Sequence, residues 1–438
     1  MIPSGRDTGG GMARLRVAYV YSYMTTGGDE SRLLQHLACR DDRRFEHVVV
    51  TGMEPNAASV ELNGPVHQRV RDLGVELVSL GVPADHDRRR SGASVGLALS
   101  QGRAFGSMVR RLARFLAERR VDIVDGRINM GTAVGVLAAR RAGVRAVVST
   151  NYELGRWQTP TTWAAGQALY AMTDALISDS QAAIDQMRGW MLRPPPGFCI
   201  PNGVVPPAPT RAAEAMRAEL GIPPGARVIA QIARIQRIKG QDLLLKAVAR
   251  LRERHPDVFL LLVGYRQQAV GYQRELDELV DSLGLQDAVR FVSWPGPIGD
   301  IWQLVDIHAH PTRQDSSPMA LMEGMSLGRP AVTTRVGGIA DIVEDGRTGF
   351  VLEPDDLDGL TRALGRLLDA PGLAAQLGAA AHDRFSAHHR PEVMARGIEA
   401  VYAQVHADPR GVRLDAGAAA RGPDPDRGAG AGASPRAR

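Results

Sequence analysis

Two carboxylates, Asp315 and Glu323, stand eight positions apart in the segment that runs from Asp315 to Val332. The segment follows the strand-like run DIHAHPT, and Pro318 suits the start of a helix, where a missing N–H costs little. The first turn of such a helix presents unpaired N–H groups and a positive dipole end, which bind phosphate oxygens. The pattern predicts an anion at these N–H groups, with ligand hydroxyls near Asp315 and Glu323. Taken alone, the pair is explained equally well without a ligand, with Asp315 as a helix-capping residue and Glu323 as a solvated charge.

Two cations occupy a short loop in the stretch VIAQIARIQRIKG. A predicted strand over 228–232 leads into this loop, which carries Arg234 and Lys239, and an amphipathic helix is expected to begin at Gln241 or Asp242. Two cations before a helix N-terminus suit a diphosphate better than a single phosphate. Basic residues are common in surface loops, so this indication needs support from elsewhere in the chain.

Glycines end two of the predicted strands. Gly27 and Gly28 follow the first strand, LRVAYVYSY, and precede a helix expected from about Asp29, while Gly264 ends the apolar strand VFLLLVGY. Such turns often need glycine for backbone reasons alone. The positions nonetheless allow a ligand to approach the backbone closely.

His308 and His310 alternate on a predicted strand and therefore share a face. We expect no acidic partner near them, so a packed strand is favoured over a metal site. Cys39 and Cys199 are the only cysteines, which excludes a disulfide framework and a cysteine-based metal site. These residues therefore give no indication of a metal site.

The composition is that of a soluble globular protein, with 44% hydrophobic and 23% charged residues in a 438-residue chain long enough for two domains. No apolar run approaches the length of a transmembrane helix, and MIPSGRDTGGGMA lacks the apolar core of a signal peptide. We therefore expect a cytoplasmic protein. A net charge of +5 does not by itself indicate a nucleic-acid partner.

Four arginines, Arg103, Arg110, Arg111 and Arg114, lie on one predicted helix. A solvated helix face is the favoured interpretation. The alternative is a docking patch for a phosphorylated acceptor or for anionic phospholipid, which would give peripheral contact with the inner face of a membrane.

Strands alternate with helices in both halves, which predicts two doubly wound parallel sheets whose ligands bind beyond the carboxyl ends of the strands. The segment CIPNGVV, flanked by prolines, marks the boundary between them. The sequence predicts a disordered N-terminus (1–12) and a disordered tail (409–438). Between them we expect a first domain (13–198), a second domain (199–384) and a helix that crosses back to the first domain (385–408).

These motifs together resemble those of the retaining nucleotide-sugar glycosyltransferases of family 4, which have the GT-B fold of two Rossmann-like domains facing a cleft. Asp315 to Glu323 is similar to the family's Glu, seven residues, Glu motif. The spacing of Arg234 and Lys239 matches its diphosphate-binding pair, and CIPNGVV matches its domain crossover. The resemblance covers residues 15–405 and is dense from 199 to 356.

The resemblance implies a role for each of these residues. The loop at Gly27 and Gly28 would close over the donor diphosphate, and the nucleotide base would lie after Gly264. The first acid, Asp315, would contact the donor sugar's hydroxyls and Glu323 the ribose. Further donor contacts are expected from the helix start, at Ser316, Ser317, Pro318 and Met319. Acceptor contacts are expected from the first domain, at Arg127, Asn151 and Tyr152.

Two positions depart from the family pattern. Asp315 replaces the first glutamate, and Asp125 and Arg127 stand where many members have His-x-His, whose second histidine faces the acceptor. The second departure weakens what the family implies about the acceptor.

The expected function is that of a metal-independent retaining glycosyltransferase. It would move a sugar from a nucleotide-sugar donor, expected to be UDP-linked, to a glycan, a lipid-linked acceptor or a small natural product. Two alternatives remain: a sugar-nucleotide epimerase or hydrolase of the same fold, and a catalytically silent nucleotide-sugar-binding homologue.

Overall fold

The computed structural model describes residues 14–24, 27–53, 66–82, 95–152, 160–264 and 270–409. The predictions for residues 1–12 and for nearly all of 409–438 lie outside these ranges.

The first sheet contains seven parallel strands in the order β3-β2-β1-β4-β5-β6-β7. Its inner strands β4, β5 and β6 are buried along their whole length because helices cover both faces of the sheet. The strands are β1 (Leu15–Tyr21), β2 (Phe45–Met53), β3 (Glu76–Val82), β4 (Ile123–Arg127), β5 (Ala146–Thr150), β6 (Ala175–Ser178) and β7 (Gly197–Cys199).

The second sheet contains six parallel strands in the order β10-β9-β8-β11-β12-β13. They are β8 (Arg227–Ile232), β9 (Val258–Val263), β10 (Val289–Val292), β11 (Ile307–His310), β12 (Ala331–Thr334) and β13 (Gly349–Leu352). The prediction of two doubly wound parallel sheets is confirmed.

Helices connect the strands of both sheets. In the first half they are α1 (Gly28–Ala38), α2 (Val66–Asp72), α3 (Val95–Glu118), α4 (Ile128–Ala142), α5 (Pro160–Ala171) and α6 (Gln181–Gly189). In the second half they are α7 (Ala213–Leu220), α8 (Gln241–Arg252), α9 (Val270–Ser282), α10 (Gly299–Trp302), α11 (Met319–Ser326), α12 (Ile339–Ile342), α13 (Leu357–Asp369), α14 (Pro371–His388) and α15 (Pro391–Ala407).

The last helix, α15, returns to the first sheet. Met394, Ile398 and Tyr402 are buried in the same core cluster as Tyr19 and Phe45 of the first sheet. The predicted boundary at residue 385 falls within α14, which continues to His388, and α15 begins at Pro391, since a proline fits the first turn of a helix. The carboxyl-terminal helix thus belongs to the first sheet's core although it follows the second sheet in sequence.

The four arginines predicted on one helix lie on α3 and are exposed. Arg111 donates a hydrogen bond to the Leu80 carbonyl at 2.7 Å, which ties it to β3. Within the described ranges, every helix is too short or too polar to span a bilayer.

Candidate active site

A cleft of about 1190 Å³ lies between the carboxyl ends of the two sets of strands. Its lining combines the loop after β1, the segments after β5 and β6, the loop after β8 and the segment between β11 and α11. Of the predicted site residues, it is lined by Gly27, Gly28, Asn151, Tyr152, Arg234, Lys239, Asp315, Ser316, Ser317, Pro318 and Met319. The fold therefore brings residues from both halves of the chain into one cleft.

A smaller cavity of about 220 Å³ adjoins the cleft and shares Ile232, Ala233 and Arg234 with it. Gly264 lines this smaller cavity together with Trp294. A Cβ atom at Gly264 would lie 2.0 Å from the carbonyl oxygen of Ala233, so the close approach of β9 to the loop after β8 requires glycine there. Close packing therefore requires glycine at position 264, whether or not a ligand occupies the cavity beside it.

Asp315 is held by two side chains at the centre of the cleft. Its Oδ2 lies 2.5 Å from Lys239 Nζ and 3.0 Å from His310 Nε2, while its Oδ1 accepts a hydrogen bond from the Ser316 N–H at 3.1 Å. Burial raises the pKa of Asp315, but the hydrogen bonds and charges of His310 and Lys239 outweigh burial and lower that pKa to about 2. Asp315 is therefore an ionised carboxylate at neutral pH.

The prediction that the two histidines have no acidic partner was wrong. The histidine that ends β11, His310, contacts Asp315 only five residues further on, because the chain turns back after the strand. His308 faces Trp302, with ring centroids 5.0 Å apart, and is fully buried. His310 thus belongs to the cleft and His308 to the core.

The two predicted diphosphate-binding cations have different surroundings. Lys239 is 7% exposed and its charge is paired with Asp315. Arg234 is exposed where the two cavities meet, and its guanidinium has no hydrogen bond or ion pair with any residue that the structure describes. Arg234 is therefore the cation with donors available for a bound anion, whereas Lys239 holds Asp315.

The start of α11 faces the cleft. Pro318 is the residue before the first helical residue, Met319, and both line the cleft with Ala320. The N–H groups of Met319 and Ala320 lie in a first turn, where an α-helix offers no acceptor for them. Gly337 packs closely against the loop before the helix. Its φ is +51°, and a Cβ atom there would lie 1.9 Å from the Asp315 carbonyl oxygen, so this position requires glycine.

Glu323 lies on α11 but outside the lining of both cavities. One of its carboxylate oxygens accepts a hydrogen bond from Trp302 Nε1 at 2.9 Å. Burial raises the pKa of Glu323, and the Trp302 hydrogen bond opposes part of that rise. The sequence places this acid beside a ligand, whereas the structure gives it a partner within the second domain.

Arg127 does not line the cleft, contrary to the prediction of an acceptor-side position. It is 1% exposed, and its guanidinium pairs with Asp29 and with Asp125, the latter at 3.0 Å. It also donates a hydrogen bond to Tyr152 Oη at 3.1 Å. The guanidinium can be buried at the end of β4 because two carboxylates and a phenol accept its hydrogen bonds. Asp29 and Tyr152 are distant in the sequence, so spacing alone does not predict them.

Several cleft residues that sequence reasoning missed form a hydrogen-bonded network between the domains. Asp179, directly after β6, accepts hydrogen bonds from Ser316 Oγ at 2.8 Å and from Asn202 Nδ2 at 3.2 Å. The same Asn202 amide donates to Ser317, and Arg32 of α1 donates to Asn202 Oδ1 at 2.5 Å. In the sequence, Asn202 was part of the boundary segment CIPNGVV only, and nothing in the pattern indicated a role for its side chain.

Metal binding needs a cluster of suitable ligands. Within the part of the chain that the structure describes, no group of three or more His, Cys, Asp or Glu side chains is placed to hold a metal ion. The absence of a metal from the reaction stays a prediction.

The two facing parallel sheets with a cleft between them define a GT-B protein. The model of the family "Glycosyl transferase 4-like domain" matches residues 27–203, and that of "Glycosyl transferases group 1" matches residues 212–384. The chain belongs to this family of GT-B glycosyltransferases.

Named relatives agree with the family. A D-inositol 3-phosphate glycosyltransferase from Corynebacterium urealyticum is 35% identical over 46% of this chain and 48% of its own length. A D-inositol 3-phosphate glycosyltransferase 2 from Catenulispora acidiphila is 30% identical over 63% of this chain and 69% of its own length. The chain spans about half the length of the first of these relatives.

A solved structure shows the same fold. The Anabaena protein HepE in complex with UDP and glucose superposes with a TM-score of 0.72 and 18% identity, covering 89% of this chain and all of that one. At this identity the likeness concerns the fold.

The contact between Lys239 and Asp315 should contribute measurably to stability. In a double-mutant cycle of Lys239→Met and Asp315→Asn, we expect a coupling free energy of about 1–3 kcal/mol, because each charge is largely buried with the other as partner. Urea unfolding of the four proteins measures it. The coupling should be present above the ordinary pKa of aspartate, 3.8, and be lost as the pH falls towards 2, because the folded protein lowers the pKa of Asp315.

A matched control is the ion pair Arg250–Asp358, which has a similar length of 2.6 Å but exposed side chains. Its coupling should lie at about 0–1 kcal/mol. Equal coupling in the two cycles would show that burial adds nothing to the Lys239–Asp315 contact.

Proposed function

We propose that the protein is a retaining glycosyltransferase that moves a sugar from a nucleotide-sugar donor, UDP-linked, to an acceptor hydroxyl. The observation that carries the proposal is that one cleft is lined by Asp315, by the first turn of α11 and by Arg234, a cation without an ion pair among the described residues. The family of the chain supports the reaction class, and the family fold supports the position of the donor at the second domain.

The donor diphosphate would lie between Arg234 and the N–H groups at the start of α11. During transfer, the bond between the anomeric carbon and the diphosphate oxygen breaks, and negative charge grows on the leaving group. A guanidinium and a helix N-terminus stabilise such charge because they are already oriented before it appears. Lys239 would contribute through its position beside the diphosphate while it holds Asp315.

The smaller cavity between Gly264 and Trp294 adjoins Arg234, so it suits the nucleotide base of a donor whose diphosphate lies at that arginine. The ribose would then lie between the two cavities. Glu323 uses one carboxylate oxygen in its hydrogen bond with Trp302, so its other oxygen would be the one that accepts a hydrogen bond from the ribose.

Asp315 would accept hydrogen bonds from the donor sugar's hydroxyls and support the positive character that develops at the anomeric carbon. In a front-face substitution the acceptor oxygen bonds to that carbon on the side the diphosphate leaves, and the acceptor proton passes to the leaving phosphate oxygen. No protein base and no metal ion are needed for this balance of atoms and charge.

The first test is a panel of nucleotide sugars, with nucleotide release measured with and without cell extract as a source of acceptor. We expect release that depends on the extract, and NMR of the product should show the anomeric configuration of the donor. Release without any acceptor would favour an epimerase or hydrolase. Nucleotide binding without turnover of any donor would favour a silent homologue.

Replacing Arg234 tests the diphosphate contact. Arg234→Ala should weaken UDP binding by about tenfold or more and lower transfer by roughly 10²-fold, because a preoriented charge is lost where the leaving group's charge develops. The matched control is Arg237→Ala, since Arg237 is an exposed arginine in the same loop that pairs with Glu275 and does not line the cleft. Equal effects of the two substitutions would contradict the assignment of Arg234.

Replacing Asp315 tests whether the shorter acid is adapted to its site. Asp315→Asn should reduce transfer to background, because it removes the charge at constant shape. Asp315→Glu should also impair transfer, since the longer side chain meets Lys239 and His310 where the aspartate already reaches both. Higher transfer by the glutamate variant would indicate a degraded site instead. Wild-type transfer by the asparagine variant would remove Asp315 from the mechanism.

A further inference from the structure

His310 lines the cleft and contacts Asp315, although the proposed reaction gives it no part in binding the donor or in breaking a bond. It is 1% exposed and ends β11. Thr333 of β12 pairs with it in register, and the Thr333 hydroxyl donates a hydrogen bond to its carbonyl at 3.0 Å. The imidazole therefore belongs to a strand end that is fixed by the sheet.

The hydrogen bond between His310 and Asp315 has a defined donor. An ionised carboxylate only accepts hydrogen bonds, so Nε2 carries the proton in its 3.0 Å contact with Asp315 Oδ2. The other ring nitrogen, Nδ1, is buried and has no hydrogen-bond partner among the described residues. The ring thus directs one N–H group at one oxygen of Asp315.

The second partner of that oxygen, Lys239, is shared with the donor site. Its ammonium group has three N–H donors, one of which lies 3.5 Å from the Gln314 carbonyl, and it would lie beside the diphosphate. As negative charge grows on the leaving diphosphate, the diphosphate competes with Asp315 for this ammonium. A carboxylate held by Lys239 alone would therefore be free to move when transfer begins.

We propose that His310 is a positioning residue for transfer, whose Nε2–H group keeps the Asp315 carboxylate in place while the diphosphate draws on Lys239. This inference rests on the proposed function and assigns a further residue to it. Correct placement of Asp315 matters because a displacement of about 1 Å can cost ~10²-fold in rate. An N–H group on a rigid strand end provides that placement better than a flexible ammonium does.

The same contact sets which acid fits position 315. The Asp315 carboxylate ends against the imidazole, at hydrogen-bond distance from Nε2. One more methylene would move the carboxylate by about 1.5 Å, towards a ring that already stands in contact with it. His310 and Asp315 therefore form a matched pair, in which a longer acid requires a smaller residue at position 310.

The first test compares two amides at position 310. The side-chain nitrogen of glutamine lies as many bonds from Cβ as Nε2 of histidine, whereas that of asparagine lies one bond closer to Cβ and falls short of Asp315. His310→Gln should therefore keep transfer close to the wild-type rate, and His310→Asn should lower kcat by roughly 10²-fold. The affinity for UDP should stay unchanged in both variants, which shows that they are folded.

His308→Asn is the matched control. His308 lies two residues earlier on the same strand, is fully buried and faces Trp302. This variant should lower the free energy of unfolding in urea and leave kcat of the folded protein unchanged. A similar loss of kcat in His308→Asn and His310→Asn would indicate general damage to β11 and overturn the assignment. Equal transfer by His310→Gln and His310→Asn, whether high or low, would overturn it as well.

A second test concerns the match between positions 310 and 315. Asp315→Glu should impair transfer when His310 is present. Combined with His310→Ala, the same substitution should raise transfer above that of His310→Ala alone, because the longer acid then has room. An equal loss from Asp315→Glu in both backgrounds would contradict the matched pair.

A measurement without turnover separates this inference from the proposed function. Burial raises the pKa of Asp315, and the hydrogen bonds and charges of His310 and Lys239 lower it to about 2. His310 also interacts with His308 on its own strand, whereas Thr333 beside it on β12 does not titrate. Because the folded pKa lies below the ordinary 3.8, the stability due to ionised Asp315 is present above pH 3.8 and lost as the pH falls towards 2.

This contribution is the difference in unfolding free energy between the protein and its Asp315→Asn variant, measured in urea from about pH 3 to 6. In a His310→Asn background the pKa of Asp315 should rise, so the difference should be smaller and disappear at a higher pH. The same pH dependence in both backgrounds would overturn the inference and leave the proposed function intact. A shifted pH dependence in a protein that transfers no sugar would support the contact and contradict the proposed function.

Discussion

The pairing of Asp315 with Lys239 and His310 is the constraint around which the cleft is arranged. A carboxylate in a largely buried position is stable only when it is paired and hydrogen-bonded. Both partners come from the second domain, one from the loop after β8 and the other from the last position of β11. Because β8 and β11 are neighbours in the sheet, their carboxyl ends place the cation and the imidazole side by side. Asp315 is one methylene shorter than the family's glutamate, and this pair of partners fixes where the shorter side chain ends.

That pairing also decides which groups would meet the diphosphate of the proposed donor. With Lys239 paired to Asp315, the positive field at that position would come from Arg234 and from the helix dipole of α11. Arg313, although it lines the cleft, is bound to Asp242 and Asp355. Among the second-domain cleft residues that the structure describes, Arg234 is the guanidinium without an ion pair, and a guanidinium gives directional hydrogen bonds to phosphate oxygens. Arg234 is thus available for an anionic ligand, while the charges of Lys239 and Arg313 are already compensated when no ligand is bound.

The sequence predicted the parts of this site that depend on local pattern. Alternating strands and helices were sufficient for the two parallel sheets, and the carboxyl-end rule placed Arg234, Asp315 and the start of α11 in one cleft. Contacts between distant side chains were not predictable in this way. His310 was assigned to the core because a period-two pattern describes a strand and says nothing of the turn that follows it. Arg127 was assigned to the acceptor side because it stands where many family members have the second histidine. Its partner Asp29 lies 98 positions earlier, which no spacing rule connects. Glu323 was assigned to the ribose from its motif, whereas its hydrogen bond depends on Trp302 of a different helix.

The network from Arg32 through Asn202 and Asp179 to Ser316 and Ser317 joins the two domains at the loop that carries Asp315. Every member except Ser316 is less than one-tenth exposed, so loss of any one leaves buried polar groups without partners. Asp179 holds Ser316 from the first domain, and Ser316 in turn gives its N–H to Asp315 Oδ1. A change in the angle between the domains would therefore act directly on the loop next to the Asp315 carboxylate. The relative position of the two domains and the orientation of Asp315 are linked through these few hydrogen bonds.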